Sequence, residues 1–114
     1  MLACPHCGDR GMTTSFLQKL DAIREDYGQP IIISSGYRCS HYNKQISSTG
    51  TDGPHTTGRA VDIPVHGEEA VRLMQVALKY GMTGFGVKQK GPFNKRFIHL
   101  DDLENGLRPT MWSY

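Results

Sequence analysis

Apolar residues near the start of the chain recur with a helical period. Phe16, Leu20, Ile23 and Tyr27 are spaced by four, three and four positions, which puts all four on one face of an α-helix. Thr13, Thr14 or Ser15 can cap its start. Gly28 ends it, and Pro30 prevents its return. Ile31, Ile32 and Ile33 form a β-branched run that reads as a buried strand. A second helix is predicted over residues 68–80, with Ala70, Leu73, Met74 and Ala77 as its buried stripe. Glu68 and Glu69 sit at its favourable N-terminal end, and Gly81 terminates it. Residues 59–64 alternate polar and apolar as a strand that carries Asp62. Residues 85–87 and 96–100 read as two further strands joined as a hairpin through residues 88–94. Residues 1–12 are irregular, residues 41–46 suit a short helical piece, and the tail with Arg108, Pro109, Trp112 and Tyr114 is expected to pack back on the body. The order of elements predicts one α+β domain over residues 1–114, a small central antiparallel sheet with helices on one side.

Composition narrows the function more than the fold. The chain has 114 residues, and its formal net charge of +2 is too small and too scattered for an electrostatic footprint on nucleic acid. No apolar run approaches the length of a membrane span, so no membrane partner is expected. The N-terminus lacks the basic start and apolar stretch of a secretory signal. The expectation is cytoplasmic synthesis, with delivery to any external substrate by other means. Three cysteines exclude a disulfide framework closed within one chain, and reduced thiols are the simplest reading. The oligomeric state is left open.

Residues 47–57 are rich in Ser, Thr, Gly, Asp and Pro and form a loop long enough to suggest function. Out of it runs HTTGRAVD, with His55 and Asp62 seven positions apart and Gly58 supplying a sharp bend between them. Later comes FIHLD, with His99. In a sheet, Asp62 and His99 can face one another from neighbouring strands. Two imidazoles and one carboxylate are zinc ligands, and three ligands leave the open position that distinguishes a catalytic zinc site from a structural one. Such a centre keeps a net positive charge that lowers the pKa of water and polarises a carbonyl. Arg38, in SSGYR at the end of a strand, can hold a carboxylate with two parallel hydrogen bonds. Cys4 and Cys7 make half a metal knuckle, and Cys39 and His41 could complete a closed structural site, with His6 as an alternative ligand. Free thiols beside an irregular start are the simpler account of them.

These residues together resemble the zinc D-alanyl-D-alanine carboxypeptidases and phage murein endopeptidases, in the superfamily shared with lysostaphin-type peptidases and the hedgehog signalling domain. The resemblance rests on SSGYRC with Asn43 just beyond, HTTGRAVDI, GFGV and FIHLD, with Trp112 close behind. It implies a small α+β fold, Zn2+ on His55, Asp62 and His99, and substrate contacts from Arg38 and Tyr37. The implied substrate is the peptide stem of peptidoglycan, and the implied setting is the cell wall, reached from a virion or after release. Three positions depart from the pattern. Many relatives carry an acidic general base three residues before the last zinc histidine, where this chain has Arg96. Other subgroups have a histidine two residues before that ligand, where it has Phe97. Relatives often show a serine two residues before the first zinc histidine, where it has Gly53. His99-Leu100-Asp101 does match the His-x-Asp of the small phage-type subgroup. Asp101 is therefore the nearest candidate for the base, or else a group that orients a ligand. The missing acid also motivates an alternative, a catalytically silent, zinc-stabilised module that binds cell wall or serves in a phage tail.

Overall fold

The computed structural model describes residues 11–36, 54–104 and 107–114. Among them the order is helix α1 (Thr14–Tyr27), a 3-10 turn (Pro54–Thr57), strand β1 (Ala60–Ile63), helix α2 (Gly67–Lys79), strand β2 (Gly84–Lys88), a second 3-10 turn (Phe93–Lys95), strand β3 (Phe97–Asp101) and strand β4 (Thr110–Ser113). None of these helices is long and apolar enough to cross a membrane.

Thr13 is the residue that caps α1. Its backbone is extended, and its side chain accepts a hydrogen bond from the Phe16 amide at 3.3 Å, satisfying one of the donors a helix start leaves over. Gly28 closes the helix in the left-handed conformation, φ 79°. All four periodic residues of α1 are buried. On α2, Ala70, Leu73 and Ala77 are buried, and Met74 is half-buried at the edge of the core. Tyr27 ties the two helices together by donating to the Glu69 carbonyl, while Arg72 donates to the Tyr27 carbonyl at 2.6 Å.

The sheet runs β1-β3-β2-β4. The β2–β3 hairpin forms as expected, and β1 pairs antiparallel with the other edge of β3. The tail does more than pack back. It forms β4, which pairs parallel with β2 and makes the sheet mixed. Because side chains alternate along a strand, the sheet has two chemically distinct faces. Val61, Ile63, Phe85, Ile98 and Leu100 point toward the helices and join their buried residues in one core. Asp62, His99, Gly86 and Trp112 stand in register on the opposite face.

One strand expectation is corrected. Residues 31–33 are not a strand; Ile32 is 70% exposed, while Ile31 and Ile33 are half-buried against the core. A β-branched run favours extended backbone, but a strand also needs a partner ladder. Here the ladder starts only afterwards, where Ser35 bridges Asp62. The Ser34 amide donates to the Asp62 carbonyl at 3.0 Å, and the Asp62 amide donates to the Ser35 carbonyl at 2.8 Å. Asp62 is thus held between this segment and β3. The short helix expected over residues 41–46 lies outside the described residues.

Candidate metal centre

His55 sits on the turn before β1, Asp62 on β1, and His99 directly across from Asp62 on β3. Gly58 makes the entry to β1 possible. Its φ is 73°, and a Cβ at that position would run into the Gly11 carbonyl. Its own carbonyl accepts from the Thr13 amide at 2.9 Å, which fastens the turn to the start of α1. The register of β1 on β3 brings Asp62 and His99 together although they are 37 positions apart in sequence.

All three side chains are buried, and their ligand atoms lie within 4.8 Å of one another. Asp62 Oδ1 is 3.2 Å from His55 Nε2 and 3.1 Å from His99 Nδ1. The two rings meet edge to face, with centroids 5.0 Å apart. Two ligands about 2.0–2.1 Å from a tetrahedral zinc stand about 3.3 Å apart, so both contacts to Asp62 have the spacing of a shared ion.

The outer nitrogens decide what the inner ones can do. His55 Nδ1 donates to the Gly36 carbonyl at 2.7 Å. A carbonyl only accepts, so the hydrogen of a neutral His55 is on Nδ1 and the lone pair of Nε2 faces Asp62. His99 Nε2 stands 2.8 Å from Asp101 Oδ2, and the same logic leaves Nδ1 bare toward Asp62. With both rings neutral, two nitrogen lone pairs and a carboxylate oxygen converge on one point. That arrangement is repulsive unless a proton or a cation lies between them. The donor set, two imidazole nitrogens and a carboxylate oxygen with outer hydrogen bonds in place, fits zinc.

The electrostatics agree. Burial works to raise the Asp62 pKa, but the two histidines facing it, which hydrogen-bond to it when they carry a proton there, hold it well below the usual carboxylate range. Burial disfavours the His99 cation, yet Asp101 and Asp62 on its two nitrogens raise its pKa. His99 therefore retains a proton strongly when no cation is bound, and a metal must compete with that proton.

Behind His99 stands Asp101, which the sequence offered as a base or as a group that orients a ligand, and behind Asp101 stands Arg108, whose part sequence reasoning missed. Asp101 is fully buried, and Arg108 grips it with two hydrogen bonds, Nε to Oδ1 at 2.9 Å and Nη2 to Oδ2 at 2.8 Å. Against the opposing effect of burial, Arg108 and His99 lower the Asp101 pKa to about 2. The Trp112 ring lies 5.1 Å from the His99 ring. A Cβ on Gly84 would collide with the Asp101 carboxylate, and one on Gly86 would come within 2.7 Å of Trp112 Nε1 and 2.9 Å of His99 Cβ. Alternate glycines in a strand are the sequence signal for such close approach. Asp102, next along, is held separately by Arg59 at 2.7 Å and Lys19 at 2.9 Å.

Of the other site residues expected from sequence, Tyr37, Arg38, Cys4, Cys7, Cys39 and His41 lie outside the described residues. The described part of the SSGYR turn reaches the site through the Gly36 carbonyl on His55.

A family model described as Peptidase M15 matches residues 1–101. No curated protein and no solved structure matches the chain.

Proposed function

Since the chain belongs to the peptidase M15 family, a family of zinc peptidases, we propose that it is a zinc-dependent hydrolase cleaving a peptide bond in the stem peptide of peptidoglycan. The observation that carries this is the convergence of His55 Nε2, Asp62 Oδ1 and His99 Nδ1, with each ring's other nitrogen already hydrogen-bonded. Zinc held by those three atoms supplies a Lewis acid that polarises an amide carbonyl and lowers the pKa of water.

The chain's own residues have distinct parts in this reading. Gly36 and Asp101 keep the two rings in the tautomers that present lone pairs to the metal. Arg38 anchors a substrate carboxylate, and Tyr37 lies beside it in sequence to contact the peptide. Asp101 was a candidate for the base that takes the proton from water. Its geometry supports the orienting role instead, because both oxygens are held by Arg108 and one also faces the outer nitrogen of His99. Neither nucleic acid nor a membrane has a part in the proposal, which places the protein at the cell wall, carried on a virion or released there.

The same occupancy of Asp101, with Arg96 and Phe97 in positions where relatives carry acid or histidine, favours a second reading. In it the domain is zinc-stabilised and binds cell wall without cutting it.

One experiment separates the two. Purified peptidoglycan and short stem peptides are incubated with the protein, with and without a chelator, and the products are identified by mass. Chelator-sensitive release of new amino groups, lost in His55→Ala, is the expected result. Loss of one terminal residue identifies a carboxypeptidase, and internal fragments identify an endopeptidase. Binding without release favours the silent module, and release unaffected by His55→Ala refutes the metal assignment.

A further inference from the structure

The stretch matched by the family model ends at Asp101, yet Asp101 finds its countercharge beyond that point. Arg108, just before β4, meets both carboxylate oxygens in a two-point clamp. A carboxylate touching only His99 could rotate about its own bond. Gripped at both oxygens by a planar guanidinium, it is fixed in orientation, and the fixed Oδ2 is the atom on His99 Nε2. The next residues complete the support. Trp112 lies against His99 in the notch left by Gly86, and the Arg108 guanidinium sits 5.1 Å from the Trp112 ring centre. Among the described residues β4 is an edge strand, paired with β2 alone.

From this we infer that Arg108 is a positioning residue for the metal centre, and that docking of β4 is coupled to metal binding at His99. The inference rests on the proposed zinc reading of His55, Asp62 and His99. Arg108 acts through Asp101: it keeps the carboxylate aimed at Nε2, which keeps the hydrogen on Nε2 and the lone pair of Nδ1 on the metal side. Coupling of this kind is reciprocal. Whatever the docked strand adds to metal affinity, bound metal adds to the docking of the strand.

The test uses the whole chain and zinc alone as ligand. Zinc affinity is measured by competition with a chromophoric chelator for the wild type, Arg108→Gln, Arg108→Lys, Asp101→Asn and the Arg108→Gln/Asp101→Asn double variant. Partners of metal ligands are typically worth about ten- to a hundredfold in affinity, and a loss of that size is expected for Arg108→Gln. Arg108→Lys, which keeps the charge but not the fork, should recover part of it. The double variant should bind no more weakly than Asp101→Asn alone, because Arg108 has nothing left to act through. Amide exchange at Thr110 and Tyr114, which donate to the Thr83 and Val87 carbonyls, gives a readout that activity does not. Zinc should slow both amides in the wild type and do so far less in Asp101→Asn. Wild-type affinity in Arg108→Gln, losses that add in the double variant, or exchange indifferent to zinc would each overturn the inference. If circular dichroism shows Arg108→Gln to be unfolded, the same cycle run with Arg108→Lys decides by the same outcomes. A wild type that binds no zinc overturns the metal reading itself, a result distinct from an Arg108 that proves irrelevant to a working site.

Discussion

Gly86→Ala tests how tightly the sheet face beneath the site is packed. Gly86 lies mid-strand on β2 and is not in the left-handed conformation, so alanine meets no backbone strain there. The added methyl would lie 2.7 and 2.8 Å from two atoms of the Trp112 ring and 2.9 Å from His99 Cβ. Carbon atoms prefer about 3.5–4.0 Å, so something must move by most of an ångström. His99 is buried and pinned on both nitrogens, whereas Trp112 is half-buried on an edge strand. The tryptophan, and β4 with it, should give way. Overpacking of this kind costs about 1–3 kcal/mol. Replacing glycine with alanine returns about 0.4–1 kcal/mol by restricting the unfolded chain. The net expectation is a loss of about 1–2 kcal/mol, or a fall in Tm of roughly 5–10 °C for a domain near this size. Thermal unfolding followed by circular dichroism in chelator reads this directly, and a zinc titration of the same variant should show weakened binding. A variant as stable as the wild type that also binds zinc equally well would show that the close contact of Trp112 with His99 plays no part.

Two further outcomes follow from the packing and the charges. Leu100→Ala removes a fully buried side chain on the core face of β3 and should cost about 2–5 kcal/mol in a urea titration; a loss under about 1 kcal/mol would mean that this face is not close-packed. The pH dependence should differ with and without metal. Because the folded pKa of His99 is raised, its contribution to the metal-free protein is full below about pH 6.5 and fades as pH rises through the raised value. The lowered pKa of Asp101, about 2, acts in the opposite sense: its contribution is present above about pH 4 and is lost as pH falls toward 2. Chelated protein should therefore be more stable near pH 5.5 than near pH 8, while the stabilisation added by zinc should grow over the same interval as protons leave His99. Thermal melts at the two pH values, with zinc and with chelator, check this, and chelated protein that gains stability toward pH 8 would contradict it.

Much of the fold was legible because its signals are local. The four-three-four spacing of Phe16, Leu20, Ile23 and Tyr27, the capping residues Thr13, Thr14 and Ser15 and the Gly28 stop all act within one or two helical turns; the structure follows them and selects Thr13 as the cap. The β2–β3 hairpin is local in the same sense. Residues 31–33 show where local preference misleads: three isoleucines favour extended backbone but do not supply a neighbour to pair with. β4 shows the reverse. TMWS, just after Pro109, has too little alternation to announce a strand, and it is one because β2 offers it a parallel edge. In the site, His55, Asp62 and His99 could be picked out by residue type and context. Arg108 could not, since nothing in the tail marks it as the partner of Asp101.

By itself, then, the amino-acid sequence determined the two main helices with their buried faces, the central hairpin, and a set of three residues whose side chains could hold a cation. Those properties follow from residue type and from periodicities a few positions long. Only the tertiary structure decided which nitrogen of each histidine faces Asp62, that Asp101 is turned to the outer side of His99, and that the tail closes behind it. These depend on hydrogen-bond partners brought together from distant parts of the chain, the Gly36 carbonyl for His55 and Arg108 for Asp101. A ring's tautomer is set by whatever acceptor stands at its far nitrogen, and that acceptor has no fixed offset in sequence.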